Sequence, residues 1–362
     1  MNRLAAAAVL CATTAHADVT LKLEAGSEVD SNVHRAPSGS DVVAAPDARV
    51  GVRLDLSDRA GEAGVYALDA VGAVKAFAGS DASSENVAVA AADGRYDLAA
   101  GALAPGIRLS YYDVYGDRNN ALALRTFDAS LALTLRAGDV RIAASTGWRL
   151  FAYKSQSGFD FDGPHAGASV GETVRADDAS WQLAWTLVYS AALRGYDGHA
   201  LASYCAPGAP VTPSCLAVTD MRRSDLFHDL AASLTYTGSF ILGVRLGLQV
   251  DDSNSFGQSL VRGRVELSGT AFLFFDIVAT VKVVLQVDSY SDGLLLGGDV
   301  GTFVTIEDEA RNSVILHLTR DLGEAWTLEA RFGAYANPFA SQAIAYNRQT
   351  GYLGLVYTFR SR

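Results

Sequence analysis

The side chains that could form an acid–base pair are a histidine and an aspartate that are neighbours in the sequence. His228 and Asp229 stand together in "DLFHDLAAS". A hydrolytic site needs such groups within hydrogen-bond reach of one another. Adjacent residues of a β-strand face opposite sides, so the two cannot cooperate if residues 226–237 form a strand. The chain also has no P-loop and no dinucleotide fingerprint, and we expect no enzyme activity and no cofactor.

Small acidic clusters end several apolar runs. They occur in "LGLQVDDSNS" (246–255), "LKLEAGSEVDSN" (21–32) and "KVVLQVDSYSDG" (282–293). Oxygen ligands from Asp251, Asp252 and Asn254 are an alternative that would fit Ca²⁺. Asp, Ser and Asn at such spacing more commonly cap turns by bonding to nearby backbone groups. We therefore expect turns here and no metal site.

Two cysteines close a short loop rich in Pro and Gly. Cys205 and Cys215 flank "CAPGAPVTPSC", and no histidine or third cysteine lies nearby with metal-ligand spacing. In an exported chain, an even pair of this kind indicates a disulfide that stiffens an exposed excursion.

The elements that must position these residues show an apolar period of two. "WQLAWTLVYSAAL" (181–193) and "FILGVRLGLQVD" (240–251) both alternate apolar with small or polar residues. Such runs often reach ten or more residues, the length of a tilted strand that crosses a bilayer. In lipid every backbone amide must be paired, so these strands must close into a barrel. Aromatic residues at strand ends predict a lipid-facing girdle of Trp181, Trp185, Trp326, Tyr357 and Phe359.

The predicted fold is therefore all-β, a closed antiparallel transmembrane barrel of about 16 strands, with 14 or 18 as alternatives. Residues 18–362 form this barrel. At 164–175, Glu172 would face lipid unless a bulge or a register change turns it inward. The strands are predicted at 19–28, 48–57, 65–77, 86–100, 107–115, 121–136, 140–153, 164–175, 180–196, 226–237, 240–251, 259–267, 271–289, 309–319, 325–336 and 350–360.

Short and long connections alternate along the chain. Short ones such as 137–139, 237–239 and 268–270 predict periplasmic turns, and long ones predict external loops, notably 197–225 and 290–308. Leu294, Leu295, Leu296 and Phe303 would be costly as an exposed patch. One hypothesis is that this loop folds into the barrel mouth; the alternative is that two strands extend beyond the membrane.

The polar face of the strands predicts a charged lumen. A barrel of this size leaves space that side chains alone do not fill, so we expect an open pore whose charge tunes selectivity. The alternative is a filled lumen braced by pairs of arginines and carboxylates. The predicted pore-lining residues are Arg49, Arg53, Asp55, Arg245, Arg262, Arg264, Asp276, Lys282, Glu329 and Arg331.

The composition and the N-terminal residues indicate the cellular location of the protein. The chain has 362 residues and a formal net charge of −11, which argues against binding nucleic acid through phosphates. Residues 1–17, "MNRLAAAAVLCATTAHA", combine Arg3, an apolar stretch and a small-x-small site at Ala15-His16-Ala17. This arrangement predicts a cleaved signal peptide and hence an exported, Gram-negative envelope protein.

Both ends of the barrel resemble outer-membrane proteins. The final strand, "GYLGLVYTFRSR", resembles the C-terminal signal of outer-membrane barrels, with Arg360-Ser361-Arg362 after the aromatic Phe359. This implies insertion by the barrel-assembly machinery. The first strand, "LEAGSEVDSNVHR", is similar to the opening of a broad group of outer-membrane β-barrels, some porin-like and others serving polysaccharide export or surface-protein assembly.

The function expected from these features is an outer-membrane channel for solutes or polymer, surrounded by outer-membrane lipid. One alternative is a barrel that belongs to an envelope machine for surface polysaccharide export or motility. Another is a structural or adhesive barrel that acts through its loops. The sequence leaves the oligomeric state open.

Overall fold

Alternating apolar and polar residues place one face of each strand outside and one inside a closed sheet. In this computed structural model the described residues are 18–36, 39–59, 64–98, 102–116, 123–154, 157–206, 213–291, 312–337 and 345–361. They form sixteen antiparallel strands joined edge to edge, with the first strand paired to the last. The predicted barrel and its strand number are confirmed.

The strands follow one another around the barrel in chain order. Because each strand pairs with its sequence neighbours, no crossover connection is needed. The strands are β1 Asp18–Asp30, β2 Ala45–Arg59, β3 Gly64–Phe77, β4 Val87–Leu98, β5 Leu103–Gly116, β6 Leu124–Ala137, β7 Val140–Tyr153, β8 Phe161–Arg175, β9 Gln182–Ser203, β10 Leu216–Thr237, β11 Ile241–Ser253, β12 Leu260–Phe272, β13 Ile277–Tyr290, β14 Asn312–Asp321, β15 Trp326–Asn337 and β16 Tyr346–Arg360.

Connections after even-numbered strands are short, and most of those after odd-numbered strands are longer. We call the two ends of the barrel the short-turn rim and the long-connection rim. Residues 138–139 make the tightest described turn, with Gly138 at φ 63°, a left-handed conformation that favours glycine. The turn after β12 lies at 273–276, and the predicted turn at 268–270 is instead strand, since pairing with β13 continues through Thr270 and Ala271.

The excursion predicted at 197–225 is mostly strand. β9 and β10 are each 22 residues long and pair as far as Ser203 and Leu216, with irregular register near Arg222. The prediction of one long loop is therefore wrong, because the alternation is lost here while backbone pairing persists. The predicted Cys205–Cys215 disulfide is present at the tip of this hairpin. The predicted signal peptide and most of the predicted 290–308 loop lie outside the described residues.

The described residues line the barrel with many polar and small side chains and form a small apolar core. Val33, Ala45 and Ala82 are buried together at the long-connection rim, with Val43 and Phe77 against them. Large apolar side chains lie instead on the outer surface, where Val50 and Leu131 are each 61% exposed. Because burial of apolar side chains is a main stabilising term in water, an outer surface of this kind requires a hydrocarbon environment. Among the described residues no helix is long and apolar enough to span a membrane.

Candidate functional site

The lumen wall is the surface on which the charged residues of the strands meet. Strand pairing aligns Lys22 with Arg53, whereas the neighbouring pair Leu23 and Val52 is exposed outside. The same alternation holds around the barrel. It places nine of the predicted pore-lining residues on inward positions: Arg49, Arg53, Asp55, Arg245, Arg262, Arg264, Lys282, Glu329 and Arg331.

Asp276, the tenth predicted residue, does not lie on the lumen wall. It ends the turn Phe274–Asp276 between β12 and β13, where Phe275 and Asp276 have φ of 60° and 57°. The sequence pattern suggested an unbroken strand because Leu273, Phe275 and Ile277 keep the period of two. The chain reverses there nonetheless, since β13 must run antiparallel to β12.

One ion network spans the closure of the barrel, from β1 and β2 across to β14 and β15. The carboxylate of Glu24 lies 3.4 Å from Arg49 Nε and 3.3 Å from Arg331 Nη2. Arg331 also donates to Glu329, whose Oε1 lies 2.6 Å from His317 Nε2. Glu329 is buried and Glu24 is half-buried, so these contacts are shielded from water. The network therefore links strands on both sides of the seam between β1 and β16, where the barrel closes.

Other ion pairs brace the wall between neighbouring strands. Arg53 binds Asp55 at 3.1 Å and Asp69 at 2.5 Å. Arg262 forms a bidentate pair with Asp288, with both N–O distances at 3.0 Å. Much of the predicted lumen charge is therefore neutralised in pairs, as a braced wall requires. Arg264 and Lys282 likewise share the carboxylate of Glu266, at 3.0 and 3.2 Å.

Four inward arginines differ from these because they face other arginines. Arg95 lies directly opposite Arg108 across β4 and β5, and Arg136 lies directly opposite Arg141 across β6 and β7. All four are exposed and make no ion pair with any other described residue. Like charges directly opposite on a sheet repel, so this arrangement favours an anion between them.

The period of two in the sequence assigns Arg108 and Arg141 to the lumen face, but Arg95 and Arg136 were not identified from the sequence. A signal for the second was available: a two-residue turn at 138–139 pairs Ala137 with Val140 and therefore Arg136 with Arg141. For Arg95 no such short turn fixes the register, because four residues separate β4 from β5.

A second group of arginines lies against aromatic rings near the long-connection rim. The guanidinium of Arg194 is 4.2 Å from the ring centre of Phe227 and 4.9 Å from that of Phe161. Arg223 lies 4.1 Å over Tyr196 and donates to the buried carboxylate of Asp225. Arg194, Arg223, Phe161 and Tyr196 border a cavity of about 390 Å³. Its planar cationic and aromatic groups suit planar anionic solutes.

The buried carboxylate of Asp251 also borders this cavity. Asp252 is the next residue on the same strand and faces outward, so the two cannot ligate one ion together. The side-chain amide of Asn254 bonds to the backbone of β10: it accepts from Ser224 N and donates to Arg222 O. No described group of three or more His, Cys, Asp or Glu side chains has the geometry of a metal site.

His228 and Asp229 lie on opposite faces of β10. His228 faces outward, where its Nδ1 is 2.8 Å from the hydroxyl of Tyr189, and Asp229 faces the lumen opposite Gln249. The strand geometry therefore separates the neighbour pair that could have acted as an acid–base dyad.

The predicted girdle residues lie near the short-turn rim, facing outward. Trp326 begins β15 and packs on Tyr357 with ring centres 5.0 Å apart, and Phe359 lies near the end of β16. Trp181 immediately precedes β9, and Trp185 Nε1 donates to Glu172 at 3.2 Å. Glu172 thus faces outward, and β8 has no bulge beside β7. The indole N–H of Trp185 gives its carboxylate a hydrogen bond on this outer face.

Comparisons with known proteins agree with this architecture. No protein-family model matches the chain, and no curated protein matches it either. The solved structure of Acinetobacter baumannii OccAB3 aligns over 96% of this chain and 100% of its own, at 7% identity and a TM-score of 0.51. OccAB1 of the same organism aligns over 96% and 97%, at 8% identity and a TM-score of 0.50.

A triple mutant of the Rhodopseudomonas blastica porin aligns over 95% of this chain and 100% of its own, at 11% identity, with a lower TM-score of 0.40. At such identities similarity concerns the fold alone. Together, the closed sheet of sixteen strands, the apolar exterior and the charged interior confirm the predicted architecture: the chain has the fold of a porin-type outer-membrane β-barrel.

Proposed function

We propose that this protein is a passive channel of the bacterial outer membrane that prefers small anionic solutes. The observation that carries the proposal is the presence of two opposed arginine pairs on the lumen wall, Arg95 with Arg108 and Arg136 with Arg141. A wall that only braced the barrel would match each arginine with a carboxylate, as it does at Arg262 and Asp288.

The preference for anions rests most strongly on Arg136 and Arg141. Both lie at the short-turn mouth on the lumen face, and their inward neighbours on β6 and β7 are Thr134 and Ala143. Arg95, by contrast, shares its strand face with Asp93 and Asp97. A cationic ring at a mouth raises the local concentration of anions and lowers that of cations.

The second contribution comes from the aromatic cavity near the other rim. Arg194 and Arg223 stack on Phe227, Phe161 and Tyr196 and thereby hold their guanidinium planes in place. A planar carboxylate entering from outside would meet these oriented donors first and the arginines of the opposite mouth afterwards.

Conductance in planar bilayers tests the proposal. The purified barrel, reconstituted under a KCl gradient, is expected to give stable conductance. Its reversal potential is expected to have the sign that shows higher permeability for chloride than for potassium. Absence of conductance would favour a structural barrel that acts through its loops. A barrel selective for potassium would retain the channel and contradict the preference for anions.

The location in the outer membrane follows from the fold and from the predicted signal sequence. We propose that outer-membrane lipid surrounds the barrel and that β16 serves its insertion by the barrel-assembly machinery. Membership of an export machine is not favoured by any contact of the described residues. Fractionation of cells that carry a tagged chain tests the location directly.

A further inference from the structure

An acidic side chain lies on the outer face of the barrel, among residues that should meet lipid. Asp113 lies on the same outer face of β5 as Leu109 and Tyr115 and pairs with Arg125 of β6, which faces outward like Phe127. Its side chain is nevertheless 0% exposed. Neighbouring side chains must therefore cover the carboxylate.

Two cations and a tyrosine provide that cover. The carboxylate of Asp113 accepts from Tyr111 OH at 2.7 Å and from Arg125 Nε at 3.0 Å. Lys154 binds its other oxygen and donates to Val114 O at 2.9 Å, and its ammonium lies 3.5 Å from the ring centre of Tyr115. We call these five residues, Tyr111, Asp113, Tyr115, Arg125 and Lys154, the rim cluster.

The rim cluster keeps a net positive charge and leaves it accessible. One carboxylate balances one of the two cations, and the side chains of Arg125 and Lys154 remain 53% and 29% exposed. Both lie at the long-connection rim, because Arg125 is the second residue of β6 and Lys154 follows the last residue of β7. Tyrosines at this level are typical of the boundary between lipid chains and headgroups.

A groove in the outer wall begins at the same place. Gly72, Ala88 and Ala90 carry little or no side chain, and the depression over them is bounded by Val52 and Tyr115. Its volume is about 930 Å³, and its lining is almost entirely apolar. Tyr115 therefore belongs both to the groove and to the rim cluster.

Strand pairing shows where the groove leads. One row of paired residues passes from Trp326 through Leu23, Gly72 and Ala90 to Asp113 and Arg125. Trp326 begins β15 at the short-turn rim, and Arg125 lies at the opposite rim. Because strands are tilted in a closed barrel, a row across them runs diagonally over the apolar belt.

We propose that the rim cluster and the groove together bind a phosphorylated lipid of the outer leaflet. The phosphate lies on Arg125 and Lys154, which are its hydrogen-bond donors, and one acyl chain lies along Gly72, Ala88 and Ala90. Asp113 is a positioning residue, since it holds two cations side by side that would otherwise repel. A lipid headgroup fits better than a free anion because the apolar groove continues directly from the charged site.

The inference uses the proposed membrane location but not the proposed conductance. Native mass spectrometry of the full barrel in detergent tests it, with bis-phosphorylated lipid A as the probe. One lipid A is expected to stay bound, and lipid A stripped of its phosphates is expected to bind at least tenfold more weakly. This comparison needs no variant; equal retention of the two lipids would overturn the proposal.

Substitutions then separate the contribution of the charged residues to lipid binding from that of the apolar groove. Arg125→Gln with Lys154→Gln is expected to reduce retention of lipid A about tenfold, and Ala90→Phe is expected to reduce it without any change of charge. The matched control is Arg264→Gln with Lys282→Gln, which removes the same charge from the lumen face and should leave retention unchanged. Equal losses in the control would show general electrostatic attraction and contradict the site.

Two further results would also overturn the proposal. If excess inorganic phosphate displaced the lipid completely, the site would be one for free anions. If Ala90→Phe caused an oligomer to dissociate while lipid A remained bound, the groove would be an interface with a second copy of the chain. Heat-modified electrophoretic migration establishes that each variant is a folded barrel.

Discussion

Arg136 and Arg141 face each other across the two-residue turn between β6 and β7, with both side chains on the lumen face. Neither makes an ion pair with another described residue, whereas Arg149 and Asp128 on the same two strands are paired. Because each guanidinium repels the other, an anion that enters the lumen would lower the energy of the pair. This relationship is the basis for the selectivity proposed above.

Neutralising both arginines should lower the preference for anions. We expect Arg136→Gln with Arg141→Gln to reduce the permeability ratio of chloride to potassium by roughly twofold or more, since charge at a mouth sets the local ion concentration. The reversal potential under a KCl gradient measures this. Arg320→Gln is the control, because Arg320 is paired with outward-facing Ile277 at the short-turn rim. An equal shift in the control would contradict a role specific to the lumen pair.

The ion network across the seam between β1 and β16 should stabilise the closed barrel. Glu24 contacts Arg49 and Arg331, so Glu24→Gln leaves two cations together with one partner charge fewer. We expect the free energy of unfolding to fall by about 1–2 kcal/mol, since bonds to charged groups contribute this order and partial exposure screens them. Urea unfolding followed by tryptophan fluorescence measures it.

Glu324→Gln provides the comparison for that experiment. Glu324 is exposed in the turn between β14 and β15. Its replacement removes the same charge at a position outside the ion network. If both substitutions changed the stability equally, the network at the barrel seam would not be the cause.

Removing the disulfide should affect the hairpin tip and leave the barrel intact. Cys205 and Cys215 close a loop at the end of β9 and β10, beyond the paired segments. We expect Cys205→Ser with Cys215→Ser to speed proteolytic cleavage between the two positions. In the entropic model the cross-link raises the free energy of opening this loop by up to ~3 kcal/mol. Cleavage sites are identified by mass spectrometry. Loss of heat-modified migration in the variant would show a wider structural role.

The tryptophans should report the depth of the apolar belt. Of the 4 tryptophans in the chain, Trp148 lies on the outer face within β7, whereas Trp326 begins β15 at the rim. We expect lipids brominated near the middle of their chains to quench Trp148 more strongly than Trp326, since the rim lies at the interface. Chains that retain a single tryptophan give the measurement. Equal quenching of both would place the membrane differently on the barrel.

The sequence alone determined the strands, their faces and the alternation of connections. A period of two is a local property, so Leu23 outside and Lys22 inside can be assigned without knowing which strands are neighbours. The same logic separated His228 from Asp229. It failed at Asp276, where a turn happened to preserve the period, and at β9 and β10, where pairing continued without it.

Only the tertiary structure decided which charges are partners. Closure brings Glu24 beside Arg331, residues from opposite ends of the chain, and the register of five successive strand pairs places Leu23 and Arg125 in one row. Register depends on turn lengths and on the shear needed to close the sheet, which are properties of the whole barrel. For this reason the lumen face was predictable residue by residue, whereas the opposed arginines at β4 and β5, the aromatic cavity and the rim cluster were not.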